Sequence, residues 1–326
     1  MFNFLSNILV SLSSKLVVTY PLRPFQNWSF GTPPSKDIRY WIRKIIIKLN
    51  DRLNLKLKIP VNWYLGLKLL CNLSNETGMC LFACGCYEPN ELYFLDLILK
   101  EGDIFVDIGA NEGIYTAFAS KKVGKTGKVI AIEPSPREIE SLSLMIKLNK
   151  LENVVVVKKA VYDSNGIKEL KIAKERNSGH NTFGEFVYSD VEIFEKINVT
   201  TITLDQILED YDPKLVKVIK IDVEGAETSI FKASKDLLNL KYRPIIIYES
   251  NEKALLKQNS NSLELFKTIQ NLNFTCYSVD NNYIKYEIIE GRRITQEGNI
   301  IAVPNELIQS IKDKLITVIN ATDVEK

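Results

Sequence analysis

Histidine is all but missing from this chain: His180 is the only one among 326 residues. The cysteines at 80, 84 and 86 therefore have no imidazole nearby to complete a zinc site, and they read as buried or incidental thiols. An excess of charge is missing too. The 42 basic and 40 acidic residues leave a net +2, which gives no electrostatic footprint for a nucleic acid, so no nucleic-acid partner is expected. No clean run of about 20 apolar residues exists. The opening MFNFLSNILVSLSSKLVVTYP is broken by serines and Lys15 and closed by Pro21, so a spanning helix is not expected. No basic stretch precedes it, which argues against a secretory signal. An odd count of five cysteines without such a signal points to reduced thiols and a cytoplasmic protein. Internal repeats and low-complexity segments are absent as well.

What is present falls into three regions. Residues 1–85 read as an N-terminal accessory region punctuated by Pro21, Pro24, Pro33 and Pro34. Within it Ile38, Trp41, Ile42, Ile45, Ile46 and Leu49 recur at helical spacing, with Arg39, Arg43, Lys44 and Lys48 at other positions. A solvated helix face is the plain reading of those charges. Peripheral membrane contact through residues 1–58 is the sharper one. From 86 to 305 strand-like and helical runs alternate. Near-continuous apolar strands such as VKVIKIDV and PIIIYE predict a mostly parallel sheet with helices on both faces, an α/β fold. A hairpin-like excursion at 164–204 interrupts the rhythm. Residues 306–326 read as a closing helix and tail.

Chemistry concentrates at three strand ends. The first is VDIGANEG, residues 106–113, where Gly109 allows a sharp turn and Gly113 a close helix approach. Asn111 stands where a dinucleotide turn has its central glycine, and no Gly-Lys-Ser/Thr follows, so a pyrophosphate suits the turn poorly. A nucleoside with an amino-acid tail suits it better, its polar groups meeting the backbone and the Asp107 carboxylate. The second is Glu133, 24 residues past Gly109, ending KVIAIE where an acid can accept from both ribose hydroxyls. The third is KIDVEGAE, residues 220–227, whose Lys220, Asp222 and Glu224 alternate to one side of a strand facing the same crevice. Glu227 there reads as a helix N-terminal acid.

Together VDIGANEGIYT, VIAIEPSP, VKVIKIDVEGAE and PIIIYES resemble the FkbM-type S-adenosylmethionine-dependent methyltransferases, over about residues 86–250 and weakly to 305. The resemblance implies a Rossmann-like class I methyltransferase fold with a seven-stranded sheet. It implies S-adenosylmethionine as donor, S-adenosylhomocysteine as product, and an oxygen acceptor on a sugar, glycan or natural product. By motif, Asp107, Gly109, Ala110, Asn111 and Gly113 would surround the methionine end. Glu133 would hold the ribose, and Ala160, Val161 and Asp163 would border the adenine. Asp222 and Glu224 would face the methyl group and acceptor.

An alcohol acceptor needs a base within hydrogen-bond reach. Glu224, Asp222, Glu249 and His180 are the candidates; His180 lies in a polar loop of the excursion that could cover the site. Asp222, Glu224 and Glu249 could also offer oxygens to Mg²⁺, but no spacing requires a metal, and none is predicted. The Asn/Asp-Pro-Pro-aromatic turn of many nitrogen methyltransferases is lacking after the fourth strand, which holds Asp222-Val223-Glu224-Gly225 instead. Two rivals share the fold: a NAD-dependent oxidoreductase, disfavoured by Asn111, and a scaffold with a dead cofactor site, disfavoured by the retained Asp107, Glu133 and Asp222.

Overall fold

In the computed structural model, residues 10, 38–234, 241–279, 284–285 and 298–314 are described. The apolar opening stretch therefore lies outside the described residues, Val10 excepted. Among the described residues no helix is long and apolar enough to cross a membrane.

A helix, α1 (Ile38–Leu53), forms where the spacing predicts it, but the apolar stripe faces outward. Of the stripe only Ile46 is buried; Tyr40, Arg43, Ile47 and Asn50 complete the inner face. Asn50 anchors this face. Its amide donates to the Leu73 carbonyl at 3.0 Å, and its side-chain oxygen accepts from the Leu57 N–H at 2.9 Å. Rolling the helix over would leave those buried groups unpaired, at about 1–3 kcal/mol each. A short hairpin follows, β1 (Lys58–Asn62) with β2 (Lys68–Asn72), then α2 (Glu76–Cys84) and α3 (Pro89–Ile98). Tyr40, Ile59, Leu69, Phe82 and Phe94 share one apolar cluster with Phe105, Phe118, Ile247 and Val303. The described part of the N-terminal region thus packs on the core of the main sheet.

That sheet follows from the apolar runs. In chain order come β3 (Ile104–Ile108), α4 (Ile114–Val123), β4 (Lys128–Ile132), α5 (Pro136–Asn149) and β5 (Val154–Val157). A side sheet then forms from β6 (Ala160–Val161), β7 (Gly166–Ala173) and β8 (Ile193–Ile202), the last two antiparallel, as a hairpin-like excursion should be. After α6 (Leu204–Leu208) the chain returns through β9 (Val216–Ile221), α7 (Glu227–Ala233), β10 (Ile245–Ser250), α8 (Glu252–Lys257), α9 (Ser262–Gln270), β11 (Phe274–Val279), β12 (Ile284–Lys285) and β13 (Gly298–Pro304).

The order across the sheet is β12-β11-β13-β10-β9-β3-β4-β5. The five strands β5, β4, β3, β9 and β10 run parallel, and β13 enters antiparallel between β10 and β11. Two-residue β12 is an addition to the seven strands that the resemblance implies. The chain winds outward from β3 to β5, then restarts at β9 on the other side of β3. This is a topological switch point, and a crevice opens beyond the carboxyl ends of strands flanking one.

Candidate active site

At the switch point the ends of β3 and β9 touch through backbone. Gly109 has φ +78°, and a Cβ there would lie 1.9 Å from the Asp222 carbonyl oxygen. Asn111 also adopts a left-handed conformation, φ 48°, which aims its N–H at the Glu133 carboxylate, 2.9 Å away. The other oxygen of Glu133 accepts from the Ser135 N–H at 2.9 Å. Burial nonetheless pushes Glu133 up to about 8. Asp107 is the last residue but one of β3; one of its carboxylate oxygens accepts from the Thr116 hydroxyl at 2.6 Å and the other is buried without a partner. The side-chain oxygen of Asn111 is orphaned in the same way. Two orphaned acceptors beside a glycine turn fit a ligand that brings donors, such as the ammonium and hydroxyls of an amino-acid-tailed nucleoside.

A cavity of about 610 Å³ opens over this turn. Asp107, Gly109, Ala110, Asn111, Gly113, Glu133, Ala160 and Val161 line it, and His180, Asp222, Glu224 and Glu249 line it as well. Asp163 does not. It is exposed, and it accepts from the Ser164 hydroxyl at 2.7 Å. The reason is the break after β5: Ala160 and Val161 pair with β8 in the side sheet, and the next residues follow that sheet away from the crevice.

Into the same cavity the excursion delivers His180, beside the turn that follows β9. Its Nδ1 lies 3.0 Å from the Glu224 carboxylate. That hydrogen bond raises the His180 pKa above its usual 6.5, against the opposing pull of burial. Glu224 has left the strand register; it sits at φ 53° in the turn before α7. Its carbonyl accepts from the Thr182 hydroxyl at 2.8 Å and the Gln258 amide at 2.9 Å. The His180 loop and α8 therefore grip the same peptide unit. The Glu227 carboxylate caps this turn by accepting from the N–H groups of Val223 and Gly225 at 3.1 and 3.4 Å.

Lys220 and Asp222 do share one side of the strand, and they pair at 2.7 Å. Burial pulls Lys220 down, but Asp222, Glu88 and Asp107 together outweigh it and raise its pKa. Glu88 and Tyr115, which sequence reasoning missed, complete this tier. The Tyr115 hydroxyl donates to Glu88 at 2.6 Å, and the Lys220 ammonium lies 4.6 Å from the centre of the Tyr115 ring. The Asn299 amide bridges Glu88 and Glu91 at 2.9 and 2.8 Å. The Lys220 ammonium is thus the cation beside Asp222. Among the described residues no group of three or more His, Cys, Asp or Glu is placed to hold a metal ion.

Four buried carboxyls give the fold a pH signature. Burial raises Glu91, Glu133 and Glu227 to about 8 and Glu112 to about 7, from an ordinary 4.5. Such groups keep their protons when folded and release them on unfolding, so stability falls as pH rises from about 4.5 to about 8. The ligand-free protein is expected to melt at a higher temperature at about pH 5.5 than at about pH 8. Scanning calorimetry across that interval checks this; a melting temperature that climbs with pH would refute the assignment.

The methyltransferase FkbM domain profile matches residues 107–276, just over half the chain. A ribosomal RNA large subunit methyltransferase E from Wigglesworthia glossinidia brevipalpis is 24% identical over 76% of this chain and 97% of its own length. A protein of Schizosaccharomyces pombe named as a ribosomal RNA methyltransferase is 26% identical over 52% of each chain. Among solved structures, an FkbM methyltransferase from Methylobacillus flagellatus is 13% identical, covering 69% of this chain and 52% of that one, with a TM-score of 0.40. An S-adenosylmethionine-dependent O-methyltransferase from Thermotoga maritima is 16% identical, covering 65% and 63%, with a TM-score of 0.35. The two curated relatives overturn the expectation of no nucleic-acid partner. The net charge of a whole chain is an average, and it does not report on any one surface.

Proposed function

Since this chain belongs to the FkbM methyltransferase family and is an S-adenosylmethionine-dependent methyltransferase, we propose that it methylates a hydroxyl, with His180 as the base and Glu224 orienting it. The observation that carries this reading is the 3.0 Å His180–Glu224 pair in the same cavity as the orphaned Asp107 oxygen. When bound, the sulfonium supplies an already activated methyl group. What remains for the protein is alignment of the acceptor and removal of its proton. Asp107 and Asn111 would take the cofactor's amino-acid end, and Glu133 would accept from its ribose. Ala160 and Val161 would flank the base. Glu224 accepts from His180 Nδ1–H, which leaves Nε2 free to take the hydroxyl proton. Asp222, neutralised by Lys220, would hold the acceptor. Glu249 is held well up by burial and by the Asp222 and Glu224 carboxylates, so it serves better as a hydrogen-bond donor than as the base.

A sugar or natural-product hydroxyl is the acceptor we favour, because a polyol matches a wall of carboxyls and one ammonium. Ribosomal RNA is the second reading, and the names of the two curated relatives favour it. Calorimetry with S-adenosylmethionine, S-adenosylhomocysteine and NAD tests the cofactor assignment. Binding of the first two and not of NAD is expected; tight NAD binding alone would refute it. Methyl-labelled cofactor incubated with ribosomal RNA in one arm and a glycan fraction in the other then separates the acceptors.

A further inference from the structure

The outward face of α1 has no place in the site described above. Ile38, Trp41, Ile42, Ile45, Leu49 and Leu53 recur every three to four residues, and their exposure runs from 73% at Ile38 to 37% at Ile42. On a helical wheel they fill one arc about 120° wide. Isolated exposed apolar residues need no explanation, but a contiguous stripe of six on one helix face marks a contact surface. The opposite face is the packed one, with Tyr40, Ile46 and Ile47 buried and Asn50 bonded to Leu57 and Leu73.

We propose that this face docks the protein on an anionic lipid bilayer, with α1 lying in the plane of the interface. Charge complementarity selects the occupant. Lys44, Lys48 and Arg52 form an i, i+4, i+8 row along one edge of the stripe, where they reach lipid phosphates as the apolar residues enter the acyl boundary. The helix has one acid, Asp51, and it lies off the stripe and pairs with Arg176 at 3.4 Å. The Trp41 indole stands at the edge of the stripe beside the Lys44 ammonium, 6.0 Å from the ring centre. A large apolar face, a basic flank and an interfacial aromatic together are the make-up of a helix that lies on a membrane without crossing it. A second copy docked antiparallel through this stripe would bring the two basic rows to the same side. Arg176, which Asp51 holds, also lines the catalytic cavity, so the docking helix is tied to its rim.

Flotation of the full chain with vesicles tests this independently of methyl transfer. Vesicles of phosphatidylcholine with about one third phosphatidylglycerol should bind the protein, and pure phosphatidylcholine should bind it at least about tenfold more weakly. The exposed double substitution Ile45→Asp/Leu49→Asp should abolish binding while circular dichroism and S-adenosylmethionine affinity stay unchanged. Lys44→Glu/Lys48→Glu should weaken it by about tenfold or more. Binding that survives Ile45→Asp/Leu49→Asp would place the contact elsewhere in the chain and overturn the proposal. So would a lack of binding to anionic vesicles, or a dimer that the same substitution dissociates.

Discussion

Replacing His180 by alanine is expected to slow methyl transfer about 10²- to 10⁴-fold while S-adenosylmethionine binds as before. The two halves of that result have separate causes. The His180 side chain is bonded to Glu224, whereas the Asp107 and Glu133 carboxylates are held by Thr116, Asn111 and Ser135, so removing the imidazole leaves those bonds in place. Proton removal, in contrast, loses the one imidazole in the chain. Glu224→Gln sharpens the test. Glu224 raises the His180 pKa chiefly through their hydrogen bond, so the imidazole is the competent base only above that raised value. The wild-type rate should climb through an apparent pKa above 6.5. Glu224→Gln removes the charge that holds the proton, so the acid limb should move to lower pH while the plateau falls with the lost orientation. Single-turnover rates across pH measure both. If His180→Ala turns over at the wild-type rate, His180 is not the base, and Glu224 inherits the role.

Gly109→Ala should be the most damaging added methyl group among the described glycines. The left-handed backbone costs an alanine about 1 kcal/mol, and the collision with the Asp222 carbonyl adds to it. The added Cβ would sit 1.9 Å from that oxygen, and backbone on both sides must move. A total of about 3 kcal/mol or more is expected, enough to lower Tm by several degrees. Cofactor binding should weaken at least about tenfold, because the displaced segments carry Asp107 on one side and Asp222 on the other. Gly66→Ala is the matched control. Gly66 is also left-handed, at φ +71°, but nothing lies within 4 Å of a Cβ there. Thermal unfolding of the two variants side by side isolates the contact; equal shifts would mean that the β3–β9 approach is softer than described.

Much of the fold was legible because its signals are local. Runs such as VKVIKIDV and PIIIYE are long enough to be buried strands and little else, and they became β9 and β10. The glycine turn and the acids at the ends of β3, β4 and β9 were legible because each lies within a few residues of a strand end. Glu88 was not legible. Its partners are Tyr115, 27 positions away, and Asn299, 211 positions away, and nothing in Glu-Pro-Asn-Glu announces them. The direction of the α1 stripe was hidden for a related reason. Periodicity predicts a helix with two faces, and the face that packs inward is the one carrying Tyr40, Arg43, Ile46, Ile47 and the hydrogen-bonded Asn50. Asp163 was misplaced because the sequence runs on from β5 as though one strand continued, whereas the chain changes sheets at Ala160. The local basic or acidic character of any acceptor surface is averaged away in a net charge, and there the reading of partners failed.

The His180–Glu224 pair is divided between two kinds of chain. Glu224 belongs to the end of β9, in the same structural tier as the cofactor turn. His180 rides on the connection between β7 and β8, in the side sheet. A lineage that remodelled that connection would alter the shape offered to the acceptor and the supply of its base in one stroke. If His180 is the base, acceptor range and proton removal would change together, and because β8 also pairs with Ala160 and Val161, the adenine side would feel the change as well.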